Sequence, residues 1–167
     1  MVGAVGRVSL VVRLARLEEI LPLRHAVLRP GKPASAAVFD RDGDAVHIGA
    51  WDGEVLVGCA TVFADPWAGI DGYPAEPMAW RLRGMAVAPT RQGTGVGRQV
   101  LAAAVAAARD GSAPLIWANA RLSALPFYAA AGFVAVGEHY LTAETGLPHT
   151  KILLIMSSTG SRAGESH

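Results

Sequence analysis

The spacing of apolar residues changes several times along the chain, and each change marks an element. Residues 8–14 alternate weakly and are β-branched, which predicts a first strand; residues 17–28 carry leucines and Ile20 at helical spacing. Pro22 inside that pattern predicts a kink or a later helix start. Residues 45–51 and 54–63 are rich in Val, Ile and aromatic side chains and flank Asp52-Gly53. That dipeptide accepts the positive φ angles of a two-residue turn, so the two runs read as a hairpin. Residues 78–87 form a further strand closed by Pro89, and residues 95–109 an Ala-rich helix of high intrinsic propensity. A short buried strand over 115–118, a helix over 124–131 ended by Gly132, and strands over 133–137 and 151–156 complete the pattern.

Strands linked mostly as hairpins, with helices between them, predict an α+β (mixed α/β) sheet domain. We expect one domain over residues 7–156, with the Gly-, Ser- and Ala-rich ends 1–6 and 157–167 as flexible tails. Residues 64–77 combine Gly and Pro with Trp67 and Tyr73. A long irregular segment in a compact domain is usually functional, so we expect it to wall a substrate site.

Composition narrows the functional classes. The 167 residues carry 15 Lys plus Arg against 14 Asp plus Glu, a net charge of +1, which argues against a dedicated nucleic-acid binder. With 51% apolar and 17% charged residues the chain has ample material for a core. Mean hydropathy is high at +0.31, yet the longest apolar run, 100–108, is too short to span a bilayer, so we expect no membrane partner. The N-terminus lacks a basic segment followed by an apolar stretch and a cleavage site, which predicts no signal peptide and a cytoplasmic location. The single Cys59 forms no intrachain disulfide and no CxxC pair, and the scattered histidines lack metal-site spacing, so no metal is expected. A GxSxG nucleophile elbow is also missing.

The chemistry concentrates in residues 83–98, a strand, a Gly-rich turn and a helix. Glycines at 93, 95 and 97 remove side chains where backbone N–H groups open a helix, so a phosphate can approach the donors and the positive end of the helix dipole. The plainer alternative is a tight strand-to-helix turn. GxxxxGK[ST] is absent, and Arg98 after Gly97 breaks GxGxxG, which weakens ATPase and dinucleotide readings.

The pattern Gln-x-x-Gly-x-Gly over residues 92–97, directly after Met85-Ala86-Val87-Ala88-Pro89, closely resembles the acetyl-CoA pyrophosphate loop of the GNAT superfamily of N-acetyltransferases. Phe127-Tyr128 and Ala131-Gly132-Phe133 fit the family's later Tyr and Gly-Phe pattern. The resemblance implies a central, mostly antiparallel twisted sheet flanked by helices, with acetyl-CoA wedged between two splayed parallel strands, 78–87 and 115–118. It further implies that backbone groups of Met85, Ala86 and Val87 pair with the pantetheine arm. Amides of Gln92, Gly93, Thr94, Gly95, Val96 and Gly97 would hold the pyrophosphate, with charge from Arg91 or Arg98; Arg98 equally reads as a solvated helix residue. Tyr128 would donate a proton to the departing CoA thiolate, against the alternative of a packed core Tyr.

One position departs from the family. Where many members have Asn, three residues before the Ala of this helix, the chain has Arg121, with Asn119 two positions earlier. Asn119 could bond pantetheine or the acceptor amine, while Arg121 could meet a phosphate or an acidic substrate. The activity implied is transfer of an acetyl group to a primary amine by direct attack, on a small-molecule or peptide acceptor, and a homodimer is compatible with the resemblance. A non-catalytic acyl-CoA-binding or regulatory module, or a transferase for a longer acyl-CoA, is the alternative.

An amine attacks only when neutral, so a base or water relay is needed. His47 on the hairpin, Glu76 before the central strand and His149 before the last strand are the candidates, each also readable as an ordinary structural or solvated residue. Gly146-Leu147-Pro148-His149 resembles a Gly-Ile-Pro-His segment of some small-molecule GNAT proteins, which favours His149 as a site residue. Arg81 and Arg83 share one strand face, which suits either an anionic acceptor or plain surface charge.

Overall fold

A computed structural model describes residues 10–143 and 145–156; the expected tails and the start of the first strand at Val8 lie outside the described residues. Seven strands form one sheet: β1 (Leu10–Ala15), β2 (Val46–Asp52), β3 (Val55–Ala64), β4 (Trp80–Val87), β5 (Leu115–Arg121), β6 (Val134–Leu141) and β7 (Pro148–Ile155). Their order is β1-β2-β3-β4-β5-β7-β6. Every pair is antiparallel except β4 with β5. Helices α1 (Leu17–Leu28), α2 (Val96–Asp110) and α3 (Leu125–Ala130) flank the sheet. Among the described residues no helix is long and apolar enough to cross a membrane.

Helix α1 begins where the Glu19 carboxylate accepts the Arg16 backbone N–H at 2.9 Å. It runs through Pro22, which lies mid-helix and exposed rather than at its start, so the ring faces water while Ile20 and Arg24 are buried. Helix α2 buries Val96, Val100, Leu101, Ala104 and Ala108, a stripe at helical spacing that faces Ile48, Val57, Val62 and Leu82 of the sheet. On the opposite face Ile20 of α1 packs on Cys59 and Ala86.

The half of that face beyond α1 is covered by residues 64–79. Trp67 lies tilted against Trp117 with ring centroids 5.8 Å apart, and both pack with Ala79, Leu115, Val136 and Leu153. The segment folds back through bridges Trp67–Glu76 and Ile70–Tyr73. The expectation that it walls the substrate site is therefore corrected: its aromatics close a second small core, because β5, β6 and β7 would otherwise expose that surface.

Beneath α1 lies a buried polar network in which, among the described residues, only Arg24 Nε lacks an acceptor. The Arg24 guanidinium, 0% exposed, reaches the Asp42 carboxylate at 2.7 Å and donates to Thr61 Oγ1 at 2.6 Å. His47 Nδ1 lies 2.8 Å from Thr61 Oγ1 and Nε2 3.0 Å from the Asp42 carbonyl. A carbonyl only accepts, so Nε2 carries the proton and Nδ1 accepts from the Thr61 hydroxyl.

A candidate acyl-transfer cleft between two splayed strands

Strands β4 and β5 pair only at Trp80–Ile116 and Arg81–Trp117. Beyond that point they diverge, leaving facing backbone edges that no strand occupies, and such edges seek amide partners. A bulge assists the divergence. Gly84 and Met85 together oppose Ala60 of β3, with Gly84 at φ +68°, a left-handed angle that glycine adopts without steric penalty. The isolated Gly84 inside a strand pattern was the available signal for this bulge.

The gap widens into a cleft of about 870 Å³ that runs from the Gly-rich loop to the β6–β7 connection. At one end Gly95 caps α2 with φ +92°, no side chain caps the helix, and a Cβ built there would meet nothing within 4 Å. The first helical N–H groups therefore face open space at the positive end of the dipole. Arg91 ion-pairs with Asp52 of the β2–β3 turn, which ties the loop to the hairpin, and Arg98 beside it is exposed with no ion pair or hydrogen bond among the described residues.

Met85, Ala86, Val87, Gln92, Gly93, Gly95, Gly97, Arg98, Asn119, Arg121, Tyr128 and His149 all line the cleft. Thr94 and Val96 are outside its lining: the Thr94 hydroxyl bonds back to the Arg91 carbonyl, and the Val96 side chain is buried in the core. His47 and Glu76 are also elsewhere. His47 is consumed by the network under α1, and Glu76 accepts the Met78 N–H at 3.1 Å in the Trp67 segment. Neither is positioned to take a proton from a substrate in the cleft.

Tyr128 is 8% exposed, its ring edge-on to Phe127 at 5.0 Å and Phe133 at 5.6 Å. Among the described residues its hydroxyl has no hydrogen-bond partner, and it is not among the sealed-off polar atoms, so it opens on the cleft. Burial pushes the phenol up to about 12, keeping it a donor at neutral pH. His149 Nδ1 lies 2.8 Å from the Leu147 carbonyl and must donate to it, which leaves the Nε2 lone pair for the cleft. Cys59 is fully buried and its thiol is pushed up to about 11 by burial, so it is no thiolate nucleophile.

Asn119 Oδ1 already accepts from the Tyr140 hydroxyl at 2.5 Å and Lys151 Nζ at 3.0 Å. Only its NH₂ remains to offer, so it serves a carbonyl ligand rather than an amine donor. Tyr140 and Lys151 escaped the sequence reading because they reach Asn119 only through the β5-β7-β6 order, which no local spacing encodes.

A strand splay, an uncapped glycine-led helix start and a Tyr hydroxyl that opens on the cleft suit an acyltransferase, and the comparisons agree. The sequence model of the Acetyltransferase (GNAT) family matches residues 14–133. The Bacillus subtilis (strain 168) protein named uncharacterized N-acetyltransferase YjcF is 30% identical over 121 residues, 72% of this chain and 78% of that protein. The crystal structure of Escherichia coli ElaA superposes with a TM-score of 0.68 at 20% identity, covering 87% of this chain and 99% of that one. The Salmonella typhimurium yncA structure, solved with its cofactor acetyl-CoA, gives 0.65 at 16% identity over 89% of this chain and 95% of that one. The chain belongs to the GNAT acetyltransferase family and is an acyltransferase.

Proposed function

We propose that this acyltransferase, as one domain over residues 7–156, moves an acetyl group from acetyl-CoA to a primary amine by direct attack. The observation that carries the reading is the continuous path from the uncapped start of α2, along the unpaired edges of β4 and β5, to the Tyr128 hydroxyl. It has the polarity of the donor along its length: amides and Arg91 or Arg98 for the pyrophosphate, backbone edges of Met85 to Val87 for the amides of pantetheine, and an O–H for the sulfur. When bound, the thioester supplies the acyl carbon and a thiolate leaving group.

The protein groups then have defined tasks. His149 Nε2 accepts a proton from the attacking amine, Tyr128 donates a hydrogen bond to the sulfur as negative charge grows there, and the Asn119 NH₂ holds a carbonyl oxygen. Cys59 is sealed away, so the C–N bond forms as the C–S bond breaks, without an acyl-enzyme. Incubating the protein with acetyl-CoA and a panel of primary amines should release free thiol and yield an acetylated amine by mass spectrometry, with no acetyl mass gained by the protein. A stable acetyl-protein adduct, or acetyl-CoA left intact with every amine, would refute this reading.

A further inference from the structure

Cations line both walls of the cleft, and away from the Gly-rich loop they share one face of β4 and β5. On β4, Leu82 packs toward α2, so Arg81 and Arg83 project to the opposite face. On β5, Ala118 and Ala120 belong to the α2 side, so Asn119 and Arg121 project to the opposite face, as Arg81 and Arg83 do. Register pairs Asn119 with Lys151 and Arg121 with His149, and cross-strand partners share a face. The side of the cleft away from the Gly-rich loop therefore gathers cations around the proposed base. Among the described residues, none that lines the cleft is an Asp or Glu.

Two of these cations lack a full set of acceptors. Arg121 is half-buried in the wall, with no hydrogen bond or ion pair among the described residues. Arg81 ion-pairs with Asp65 at 3.7 Å, beyond hydrogen-bond distance, and among the described residues its buried Nε has no acceptor. Among the described residues Lys151, near Arg81, finds only the Asn119 oxygen and the rings of Trp117 and Tyr140. Arg29 and Arg83 are engaged elsewhere, both over the Phe39 ring. A partly desolvated guanidinium with unmet donors is a receptor for a planar or tetrahedral oxyanion.

We propose that the acceptor is a small amine that also carries an oxyanion, a carboxylate or a phosphate, which Arg121 binds beside His149 while Arg81 supplies positive potential at the vertex of the splay. Cross-strand neighbours sit roughly 5 Å apart at Cβ, so the oxyanion lies within a few bonds of the attacking nitrogen. The proposal rests on the acetyltransferase reading above. It separates from a role of Arg121 in holding the phosphates of CoA, which would act on donor affinity instead.

The test is calorimetric titration of the CoA-saturated protein with matched amines: glycine against glycinamide, and O-phosphoethanolamine against ethanolamine, with spermidine as a cationic control. The anionic member of at least one pair should bind about 10- to 100-fold more tightly than its neutral partner, as a charge-assisted bond supplies. Preference for glycine identifies a carboxylate acceptor, and preference for O-phosphoethanolamine a phosphate. Arg121→Gln should abolish the preference while acetyl-CoA affinity stays within about 3-fold. Equal affinity within both pairs, binding by none of the amines, tighter binding of spermidine, or loss of acetyl-CoA affinity in Arg121→Gln overturns the proposal. Failure of the wild-type protein to bind acetyl-CoA overturns the acetyltransferase reading itself.

Discussion

Replacing Tyr128 with Phe removes one oxygen and leaves both ring contacts, with Phe127 and Phe133, in place. The hydroxyl has no hydrogen-bond partner among the described residues, so stability near pH 7 should change by less than about 0.5 kcal/mol. The effect on turnover can be sized from the phenol. At about 12 it lies far above a thiol near 8.5, so outright proton transfer to a thiolate runs uphill by about 5 kcal/mol. Tyr128 therefore acts by hydrogen-bonding the growing charge on sulfur, and a hydrogen bond to a charged group is worth about 1.5–3 kcal/mol. Tyr128→Phe should lower kcat about 10- to 150-fold with acetyl-CoA affinity nearly unchanged, read from steady-state thiol release and calorimetry. The same residue leaves an alkaline signature. A folded-state pKa raised from 10.0 to about 12 favours the neutral phenol, so its contribution to stability is intact below pH 10 and fades as pH climbs toward 12. By pH 11 the wild type should have lost about 1.4 kcal/mol relative to the Phe variant in urea denaturation. A kcat within about 3-fold of wild type, or a loss confined to acetyl-CoA affinity, would show that Tyr128 is only a core side chain.

Three further outcomes follow. Gly95→Glu combines a left-handed backbone angle with a carboxylate in the anion cradle, and should weaken acetyl-CoA binding at least about 100-fold in a protein with unchanged far-UV circular dichroism; Gly95→Ala, strained but uncharged, should lose less. His149→Ala should lower kcat about 100-fold, with partial recovery on adding imidazole, whereas a purely structural histidine would show no rescue. Asp42→Asn leaves the buried Arg24 guanidinium without its counter-charge and should cost about 3 kcal/mol or more in urea denaturation, and a loss under about 1 kcal/mol would contradict the reading of that network.

Where one element carried its own signal, the sequence was enough. The spacing over 17–28 coincides with α1, and Asp52-Gly53 turns β2 into β3. The Gly-rich pattern located the start of α2, and the splay implied by the family resemblance is present between β4 and β5. What failed to show depends on neighbours distant in sequence. β5 reads as 115–118 yet runs to Arg121, because the pairing with β7 continues through His149. β6 continues past Gly137, where the register shifts and the exposed run around it erases the period of two. His47 looked available on a hairpin strand, but the partners that consume it, Asp42 and Thr61, come from the loop before it and from β3. Residues 64–77 look like a functional loop from their length, Gly and Pro content and two aromatics, but the Trp67–Trp117 contact that explains them spans fifty positions.

The most direct test of the whole account is isothermal titration of the purified protein with acetyl-CoA, with NADH as a phosphate-bearing control of different shape. The account predicts one site per chain with micromolar affinity for acetyl-CoA, lost in Gly95→Glu, and no comparable heat from NADH. No binding of acetyl-CoA, or equal binding of both ligands, would reduce the glycine loop and the strand splay to architecture and contradict the account.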